Sequence, residues 1–420
     1  MVTDKRSILP RFSIVMPTRN RAYLLRQSLE SVLCQGFDDF EVIVSDDHSE
    51  DETAEIANST GDPRVRRVQP PQRMSMADHF NWASSQASGE YILFLCDDDA
   101  LTPDALEYVD GEARSSGGEL IVLTSATYFH TDWFNVDSRN SLQLPITTGN
   151  TVEVDTKALL YEMFHKFNYW ASPRGNNCFT HKDLLERIKH KVGRVFLPPV
   201  ADSSFSVLSL SEARSCVIID KPLLLFGSSA SSIGSDQSNY RRGASSSFRE
   251  ESGGEMFQLS PLKAYCVTNL VAESYFQAAS MLSGLPNVNL AHLYLRSQLD
   301  IQSLKDNCVD VAEDAKALDE FRQLLSLNDR FQVYIATIRQ KLGKSYLGKK
   351  VLAWKHKVFP SIVPLDLTGP LNLRGEDLGF ANIVECAAVL ERLNTQVNTG
   401  IGLIDKSTIA KLHSPPSCSR

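Results

Sequence analysis

Apolar and polar residues alternate along the first 130 residues in a pattern typical of a parallel sheet. Short apolar runs at Phe12–Met16, Phe40–Val44 and Tyr91–Cys96, and a shorter one near Val65–Val68, predict buried strands. Between these runs, apolar residues recur at helical spacing. Strands that alternate with helices of this length are joined by right-handed crossovers. We therefore expect an α/β fold with a mostly parallel central sheet flanked by helices, extended by a strand at Leu120–Leu123.

The run Tyr91–Cys96 ends in three consecutive carboxylates, Asp97, Asp98 and Asp99. Ligands of open α/β sheets bind at the carboxyl ends of the strands, which is where this loop is expected. Two carboxylates about 4 Å apart repel by roughly 4 kcal/mol at an effective dielectric constant near 20. A divalent cation that bridges diphosphate oxygens would offset this cost. The other interpretation is a solvated turn that caps the next helix through Thr102.

Beyond residue 129 the pattern is less regular. Residues 130–170 are polar and read as irregular, with scattered aromatic side chains that either stack on sugar rings or pack in the core. The segments Cys216–Asp220 and Pro222–Phe226 predict a closing pair of strands. The Ser-rich and Gly-rich stretch 227–247, which contains two adjacent arginines, predicts a flexible loop.

From residue 261 onward the pattern changes to one helix after another, without an internal repeat. We expect an α/β domain over residues 1–250, a helical C-terminal domain over 251–404 and a disordered tail over 405–420. The predicted helices are Leu262–Leu282, Ala291–Ser303, Cys308–Leu325, Arg330–Leu342 and Gly379–Leu393.

Composition narrows the classes of protein. The chain carries 51 acidic and 43 basic residues, and the net charge of -8 argues against bulk binding of nucleic acid. The eight cysteines show neither a CxxC pair nor zinc-site spacing, so they predict reduced thiols. Neither a signal peptide nor an apolar run of the ~18 residues that span a bilayer is found. We expect a cytoplasmic protein.

Three segments carry a resemblance to a known family. Pro17–Arg21, Val42–Thr53 and Ala87–Asp99 follow one another in an order and spacing that closely resemble the N-terminal half of family 2 glycosyltransferases. The resemblance covers roughly residues 11–110. It implies a GT-A fold, Rossmann-like, with a nucleotide-sugar-binding half at 11–128 and an acceptor-side half at 129–230.

The resemblance also implies roles for residues at the first two strand ends. In that family, the loop matching Pro17, Thr18 and Arg19 contacts the nucleoside, and the acid matching Asp47 hydrogen-bonds the base. A carboxylate suits this role because it can accept from a pyrimidine N–H group. Arg73 is a further candidate for a contact with the base or a phosphate, and a solvated loop arginine is the alternative.

At the third strand end, the resemblance implies that Asp97 and Asp98 hold the ribose and a divalent metal ion on the nucleotide diphosphate. The ion would be Mn²⁺ or Mg²⁺, with Asp98 the stronger candidate ligand and Asp97 and Asp99 beside it. The sequence departs from the family in three places. Cys96 stands where the first acid of the family's motif is expected, and Phe80 replaces a frequent arginine. The third place is 228–232, where the family's usual histidine is missing and no third metal ligand can be named.

The candidate for the catalytic base is Asp202, at the head of a predicted amphipathic helix that has Phe205 and Leu208 on one face. In the family, the acid at this position removes the proton of the acceptor hydroxyl. Partial burial can raise the pKa of a carboxylate until it is a competent base near neutral pH. The alternative is an N-cap aspartate, and one residue could serve both roles.

Together with these motifs, the resemblance implies a metal-dependent, inverting glycosyltransferase. It would transfer a sugar from a nucleotide diphosphate donor, expected to be a UDP-sugar, to a hydroxyl of a glycan or lipid-linked acceptor in polysaccharide or cell-surface biosynthesis. One alternative is a sugar nucleotidyltransferase, although the N-terminal region has no Gly-rich phosphate loop. The other is a non-catalytic nucleotide-sugar-binding scaffold with a degenerate site.

The region 339–359 contains seven Lys and Arg residues and no acid, interleaved with Leu347, Leu352 and Trp354. A basic amphipathic helix of this kind fits peripheral contact with the inner face of an anionic membrane. A solvated basic helix is the other interpretation. The helical C-terminal region is also a candidate surface for a homodimer.

Overall fold

The computed structural model describes residues 9–168, 172–232, 256–343 and 371–398, without the side chains of 339–343 and 396–398. Three expectations lie outside these residues. They are the two adjacent arginines of the Ser-rich loop, the basic segment 339–359 and the disordered tail over 405–420. Of the basic segment, only the backbone of 339–343 is described.

A mixed sheet forms the centre of the fold. Its strands run in the order β11, β7, β6, β9, β4, β1, β2, β3, and β10 pairs with β5, β6 and β8. Neighbouring strands among β3, β2, β1 and β4 pair in parallel, as do β6 and β10, whereas β9 runs antiparallel to β4 and β6. The strands are β1 Phe12–Thr18, β2 Phe40–Asp46, β3 Val65–Val68, β4 Tyr91–Phe94, β5 Ala100–Leu101, β6 Leu120–Phe129, β7 Ser141–Leu144, β8 Thr151–Glu153, β9 Cys178–His181, β10 Cys216–Ser228 and β11 Leu371–Arg374.

Helices cover both faces of this sheet. Ile14 and Met16 of β1 pack in one apolar core, whereas Val15 between them packs in the other. Burial on both faces explains why the strand runs are apolar throughout rather than alternating. The helices are α1 Ala22–Leu33, α2 Thr53–Ser59, α3 Met76–Ser84, α4 Ala105–Ser116, α5 Thr156–Lys166, α6 Lys182–Val192, α7 Ala201–Glu212, α8 Val267–Met281, α9 Leu290–Asp306, α10 Ala312–Leu324, α11 Leu327–Gly343, α12 Gly375–Leu378 and α13 Ile383–Asn398.

The expected α/β fold class is therefore confirmed, and three local expectations are wrong. Residues 130–170 are not irregular, because they form β7, β8 and α5. The two strands expected at residues 216–226 are one strand, β10, whose register with β6 shifts between Ile219 and Leu224. Thr102 does not cap α4. That helix begins at Ala105 after Asp104, and the Thr102 hydroxyl donates to Asp104 Oδ1 at 2.8 Å.

The C-terminal region is helical from α8 to α11 and then returns to the sheet. Strand β11 pairs antiparallel with β7, with Leu373 opposite Leu142. Helix α13 packs its buried face, which includes Val389 and Leu390, against apolar residues of the sheet such as Leu225 of β10. The division into domains at residue 250 stays a prediction. The apolar residues of α13, however, belong to the same core cluster as Leu225 of the sheet.

Candidate active site

The carboxyl ends of β1, β2 and β4 meet at one edge of the sheet. Thr18 at the end of β1 lies opposite Asp46 at the end of β2, and Asp47 N–H donates to the Thr18 carbonyl at 3.0 Å. On the other side of β1, Leu95 N–H donates to the Val15 carbonyl at 2.9 Å. The structure thus brings the first loop, Asp47 and the turn after β4 together. We call Asp97, Asp98 and Asp99 the acid turn.

Asp97 is buried and points back toward the first loop. The Thr18 hydroxyl donates to Asp97 Oδ2 at 2.7 Å, and the Arg21 guanidinium donates to Asp97 Oδ1 at 2.9 Å. Burial raises the pKa of Asp97, and the charge of Asp98 adds to that effect, although Arg21 acts in the opposite direction. Asp97 is thus held in place by two partners of β1 and its loop.

Arg21 was not among the residues singled out from the sequence. Its guanidinium also lies 3.8 Å from Asp98 Oδ2 and donates to the Ser231 carbonyl. Burial by itself would lower the pKa of Arg21, but the carboxylates of Asp97 and Asp98 outweigh it and raise that pKa. Arg21 is therefore the fixed cation of the acid turn. Its position at the start of α1, in the segment Pro17–Arg21, is the signal that could have identified it.

Asp99 faces the other way, toward β10 and a 3₁₀ turn at Gly175–Asn177. Gly227 N–H donates to Asp99 Oδ1 at 3.0 Å, and the Asn176 amide donates to Asp99 Oδ2 at 3.3 Å. Burial, followed by repulsion from Asp98, raises the pKa of Asp99 well above its usual range. The buried Asn176 Oδ1 accepts no hydrogen bond within the described residues. Sequence reasoning missed Asn176 as a partner because 77 positions separate it from Asp99.

Gly227 lets β10 approach the acid turn closely. A Cβ atom added there would lie 1.6 Å from the Asp98 carbonyl oxygen and 2.7 Å from His130 Nε2. His130 itself shares a 3.1 Å hydrogen bond with the Asp98 carbonyl. Burial lowers the pKa of His130, so the ring is neutral near pH 7 and can donate through Nε2. The backbone of Asp98 is thus clamped between a glycine and a histidine.

The side chain of Asp98 accepts from the Ser232 hydroxyl. Asp98 also belongs to a group of three possible metal ligands. The ligand atoms of Cys96, Asp98 and Asp99 all lie within 4.8 Å of one another, which is close enough for one metal ion. Burial and then the charge of Asp99 raise the pKa of the Cys96 thiol well above its usual range. A thiol is a soft ligand, whereas carboxylate oxygens suit hard cations, so Asp98 and Asp99 are the oxygen donors that fit a hard divalent cation. Asp97 is engaged elsewhere, with Thr18 and Arg21.

Asp47 is buried beside the segment that precedes α3. Met74 N–H donates to Asp47 Oδ1 at 3.1 Å, and an Arg19 guanidinium nitrogen lies 3.9 Å from Asp47 Oδ2. Pro17 is buried within β1, whereas the Arg73 side chain is exposed at the edge of this group. The predicted nucleoside residues therefore lie together around the ends of β1 and β2.

Asp202 is the second residue of α7, and Val200 occupies the N-cap position. The cap interpretation of Asp202 is therefore wrong. Its Oδ1 atom accepts from Ser203 N–H at 2.8 Å. None of the contacts found within the described residues joins Asp202 directly to the acid turn, but α7 packs against the 3₁₀ turn that carries Asn176.

Phe80, the second departure from the family, has a packing role. Its ring stacks on Phe94 at the end of β4, with centroids 6.0 Å apart, and meets Phe196 edge-on at 5.3 Å. A charged side chain at this position would enter an apolar cluster. The departure at Phe80 thus reflects the core under the acid turn.

Comparisons with known proteins agree with the motifs. Residues 13–173 match the model of Glycosyl transferase family 2. The chain is 37% identical over 101 residues to a GalNAc(5)-diNAcBac-PP-undecaprenol beta-1,3-glucosyltransferase of Campylobacter jejuni, a match that covers 23% of this chain and 33% of that protein. It is 28% identical over 225 residues to an uncharacterized glycosyltransferase of Haemophilus influenzae, which covers 51% of this chain and 81% of that protein.

Among solved structures, TarS 1-349 of S. aureus in complex with UDP-GlcNAc aligns with 79% of this chain and 81% of its own, at 17% identity and a TM-score of 0.42. A mannosyltransferase of Pyrobaculum calidifontis in complex with GDP-Man and Mn2+ aligns with 84% and 88%, at 15% identity and a TM-score of 0.42. The family match confirms the resemblance carried by the strand-end motifs: residues 13–173 of this chain are similar to the family 2 glycosyltransferases.

Proposed function

We propose that this protein is an inverting glycosyltransferase that uses a UDP-sugar and builds a glycan or glycoconjugate. The observation that carries the proposal is the convergence of three strand ends, with Thr18, Asp47 and the acid turn at one edge of the sheet. Open α/β sheets bind their ligands at such an edge. The family match over residues 13–173 covers all three strand ends.

The first two strand ends would bind the nucleoside. Asp47 is held by Met74 N–H and lies beside Arg19, so its carboxylate is oriented before a base arrives. A carboxylate accepts hydrogen bonds, and the pyrimidine N–H group of uracil is a donor. Pro17 and Thr18 would form the adjoining wall, and Arg73 would reach the base or a phosphate from the rim.

The acid turn would hold the ribose and the diphosphate. Asp97, fixed by Thr18 and Arg21, would accept from a ribose hydroxyl. Asp98 and Asp99 would hold the divalent cation, Mn²⁺ or Mg²⁺. When bound, such an ion neutralises the negative charge that develops on a departing diphosphate. Arg21 would add a second, permanent positive charge next to the leaving group.

Asp202 would activate the acceptor. In an inverting transfer, the acceptor hydroxyl oxygen attacks the anomeric carbon from the face opposite the diphosphate, and the C–O bond to the diphosphate breaks. The hydroxyl proton passes to a base, which we assign to the Asp202 carboxylate. The position of α7 against the turn that carries Asn176 supports this assignment, because that turn donates to Asp99.

A lipid-linked acceptor is the substrate class that we favour. The relative from Campylobacter jejuni carries PP-undecaprenol in its name, and it is 37% identical to this chain over 101 residues. Within the described residues, no helix is long and apolar enough to cross a membrane. We propose a cytoplasmic location at the inner face of the membrane. Contact through 339–359 and a homodimer through the helical region remain proposals.

Two substitutions test the assignment. Asp98→Ala should abolish Mn²⁺-dependent binding of UDP, because one of the two oxygen ligands is lost. Asp202→Asn should keep that binding and lose transfer, because an amide cannot take the proton. Binding is read as a thermal shift, which corresponds to about 2.7 kcal/mol at a hundredfold excess of ligand over its dissociation constant. Transfer is read as release of UDP and product from a panel of UDP-sugars.

Asp183→Asn is the matched control, because Asp183 also lies in the first turn of a helix, α6, and is exposed. It should leave both readouts unchanged. Near wild-type transfer by the Asp202→Asn variant would reject Asp202 as the base. A wild-type protein whose melting temperature does not move with UDP and Mn²⁺ would contradict the use of a UDP-sugar, whereas a thermal shift without transfer from any donor would fit a nucleotide-sugar-binding scaffold.

A further inference from the structure

The turn that precedes β9 lies at the same edge of the sheet as the acid turn. Strand β9 runs antiparallel to β4, so the start of β9 lies near the end of β4. The 3₁₀ turn Gly175–Asn177 comes directly before β9, and its Asn176 amide donates to Asp99 Oδ2 at 3.3 Å. We call Arg174–Asn177 the β9 turn. It borders the acid turn on the side of Asp99.

The backbone of the β9 turn is held by contacts of its own. Arg174 N–H donates to Asn177 Oδ1 at 2.6 Å, and the Asn177 amide donates to the Ser172 carbonyl at 3.3 Å. A Cβ atom added at Gly175 would lie 3.2 Å from the Phe196 ring, so the turn is also packed closely against the core. The side chains of Arg174 and Asn176 are therefore presented from a fixed backbone.

Two polar atoms of the β9 turn are buried and lack a hydrogen-bond partner among the described residues. They are Arg174 Nε and Asn176 Oδ1. Both side chains as a whole are partly exposed, so a ligand can reach them. Buried polar atoms in native proteins nearly always have a partner, and an exception calls for an explanation. A ligand that satisfies both atoms must accept from a guanidinium and donate to an amide oxygen.

The guanidinium of Arg174 is oriented by an aromatic ring. Its Cζ atom lies 4.7 Å from the centroid of the Phe226 ring, near the end of β10. A ring under the face of a guanidinium leaves the N–H groups, which lie in the guanidinium plane, for other partners. None of the ion pairs found within the described residues involves Arg174. The site therefore has a fixed positive charge with room for an anionic partner.

The position of the β9 turn indicates which part of a donor would meet this charge. In the proposed function, the nucleoside lies at Asp47, the ribose at Asp97 and the cation at Asp98 and Asp99. Asp99 faces away from the partners of Asp97, toward β10 and the β9 turn. Helix α7, which carries the proposed base Asp202, packs against the same turn. The β9 turn thus lies between the diphosphate and the base, where the sugar belongs.

We propose that the donor sugar is a hexuronic acid, with its carboxylate on the Arg174 guanidinium and a ring hydroxyl that donates to Asn176 Oδ1. This inference rests on the proposed function and names its class of donor. A planar carboxylate can accept two parallel N–H groups of an arginine, which makes the contact strong and directional. A neutral hexose has no charge to offer at that point.

Dissociation constants measured by titration calorimetry in the presence of Mn²⁺ test the proposal. UDP-glucuronate and UDP-galacturonate are each compared with the neutral counterpart, UDP-glucose or UDP-galactose, and with UDP alone. The wild type should bind one of the uronates about tenfold or more tightly than its neutral counterpart, because a charged hydrogen bond is gained. Transfer should follow the same preference.

Arg174→Gln should lose this preference and bind UDP alone as the wild type does. Arg174→Lys keeps the charge without the planar fork, so it should retain part of the preference. The matched control is Arg114→Gln, because Arg114 is an arginine in the last turn of α4 that pairs with Asp110. It should bind every ligand like the wild type. If Arg174→Gln does not fold, the ratio of the two constants in Arg174→Lys decides.

Three results would overturn the proposal. The first is a wild type that binds and transfers neutral sugars as well as the uronates or better. The second is an Arg174→Gln variant that keeps the preference. The third is an Arg174→Gln variant that binds UDP alone as weakly as it binds the uronates, which would assign Arg174 to the diphosphate. A wild type that binds no ligand of the panel, UDP included, rejects instead the use of a UDP-sugar.

Discussion

Each carboxylate of the acid turn has different partners, although the three residues are consecutive. Asp97 accepts from Thr18 and Arg21, Asp98 from Ser232, and Asp99 from Gly227 N–H and Asn176, so each is oriented by a different part of the chain. Hydrogen bonds to a carboxylate favour its charged form and offset part of the cost of burial. The three acids should therefore not substitute for one another.

Gly227 is the residue whose replacement should disturb the acid turn most directly. In Gly227→Ala, the new methyl group would overlap the Asp98 carbonyl, and one of the two backbones must move. Overpacking of this kind costs about 1–3 kcal/mol or more. We expect a lower melting temperature together with loss of the thermal shift produced by UDP and Mn²⁺.

Gly111→Ala provides the control for this change. Gly111 lies within α4, and a Cβ atom there would meet nothing within 4 Å. Alanine in a helix interior is favoured over glycine by roughly 0.5–1 kcal/mol, so this variant should melt slightly higher and keep its nucleotide response. A Gly227→Ala protein that responds to UDP and Mn²⁺ like the wild type would show that β10 does not set the position of Asp98.

His79 should make stability depend on pH. Its Nε2 atom shares a 2.8 Å hydrogen bond with the Ser45 hydroxyl, and burial lowers the pKa of the ring, although Asp47 and Asp46 act in the opposite direction. As pH falls below the unfolded pKa of about 6.5, the unfolded chain binds a proton before the folded one. The free energy of unfolding should therefore fall with pH in this range.

The variant His79→Gln should show a smaller loss of stability between about pH 7.5 and about pH 5.5 than the wild type. Urea unfolding at the two pH values measures the difference. His190→Gln, at an exposed position of α6, should keep the wild-type dependence. If all three proteins show the same dependence on pH, His79 is not its source.

Some residues of the candidate site could be identified from the sequence and others could not, because their contacts form only in the folded chain. The acid turn stands out because three charges follow an apolar run directly. Arg21 does not, since a basic residue in a polar loop is ordinarily solvated, and only the fold buries it against Asp97. Gly227 and Asn176 also escape notice, because their contacts with the acid turn depend on strands that are distant in the sequence.

At the scale of single elements, α7 is anchored at its start by a buried serine. Ser204 accepts from Leu197 N–H at 2.8 Å and also lies within hydrogen-bond distance of the carbonyls of Leu197 and Ala201. Its side chain thus ties the preceding loop to the first turn of the helix that carries Asp202. We expect the direction of the Asp202 side chain to depend on that tie.

We expect Ser204→Ala to lower kcat more than it raises the KM for the donor. The substitution leaves Leu197 N–H unpaired in a buried site, at a cost of about 1–3 kcal/mol, and loosens the segment that carries Asp202, the proposed base. Steady-state kinetics with a UDP-sugar separate the two parameters. Ser211→Ala is the control, because the one hydrogen bond found for the Ser211 hydroxyl among the described residues goes to the Leu208 carbonyl of its own helix. A fall in stability with unchanged kcat would limit Ser204 to a structural role.

The extent of β6 and β10 shows why element boundaries were harder to predict than elements. The first half of β6, Leu120–Leu123, is buried on both faces and was expected. The second half, Thr124–Phe129, is only partly buried and more polar, so the apolar pattern predicted a strand that ends at Leu123. In β10, Asp220 and Lys221 interrupt the apolar pattern, but the strand continues because Lys221 pairs with Asp104 at 2.7 Å and lies over the Tyr108 ring.

For the whole molecule, the question is whether the C-terminal region unfolds together with the sheet. Helix α13 contacts α1, β5 and β10, and the Asn394 amide donates to the Pro222 carbonyl at 3.0 Å. These contacts join the last described helix to the sheet that carries the site. A shared core of this kind favours a single cooperative transition.

Leu390→Ala tests this cooperativity. Leu390 is fully buried, and removal of such a side chain costs about 2–5 kcal/mol. We expect circular dichroism and UDP-dependent stability to report one transition at a lower melting temperature. Leu371→Ala, at a 39% exposed position of β11, should change it little. An unchanged transition for the proposed nucleotide-binding part would instead support an independent C-terminal domain.

During synthesis, β7 is made long before β11, the strand with which its edge pairs. Roughly 230 residues separate Leu144 from Leu371, and a ribosome that adds about 5–20 residues per second needs on the order of ten seconds or more to make them. Until then, the β7 edge has backbone donors and acceptors that still lack their final partner, and such an edge can pair with other chains. The nascent protein should therefore depend on chaperones until β11 leaves the ribosome.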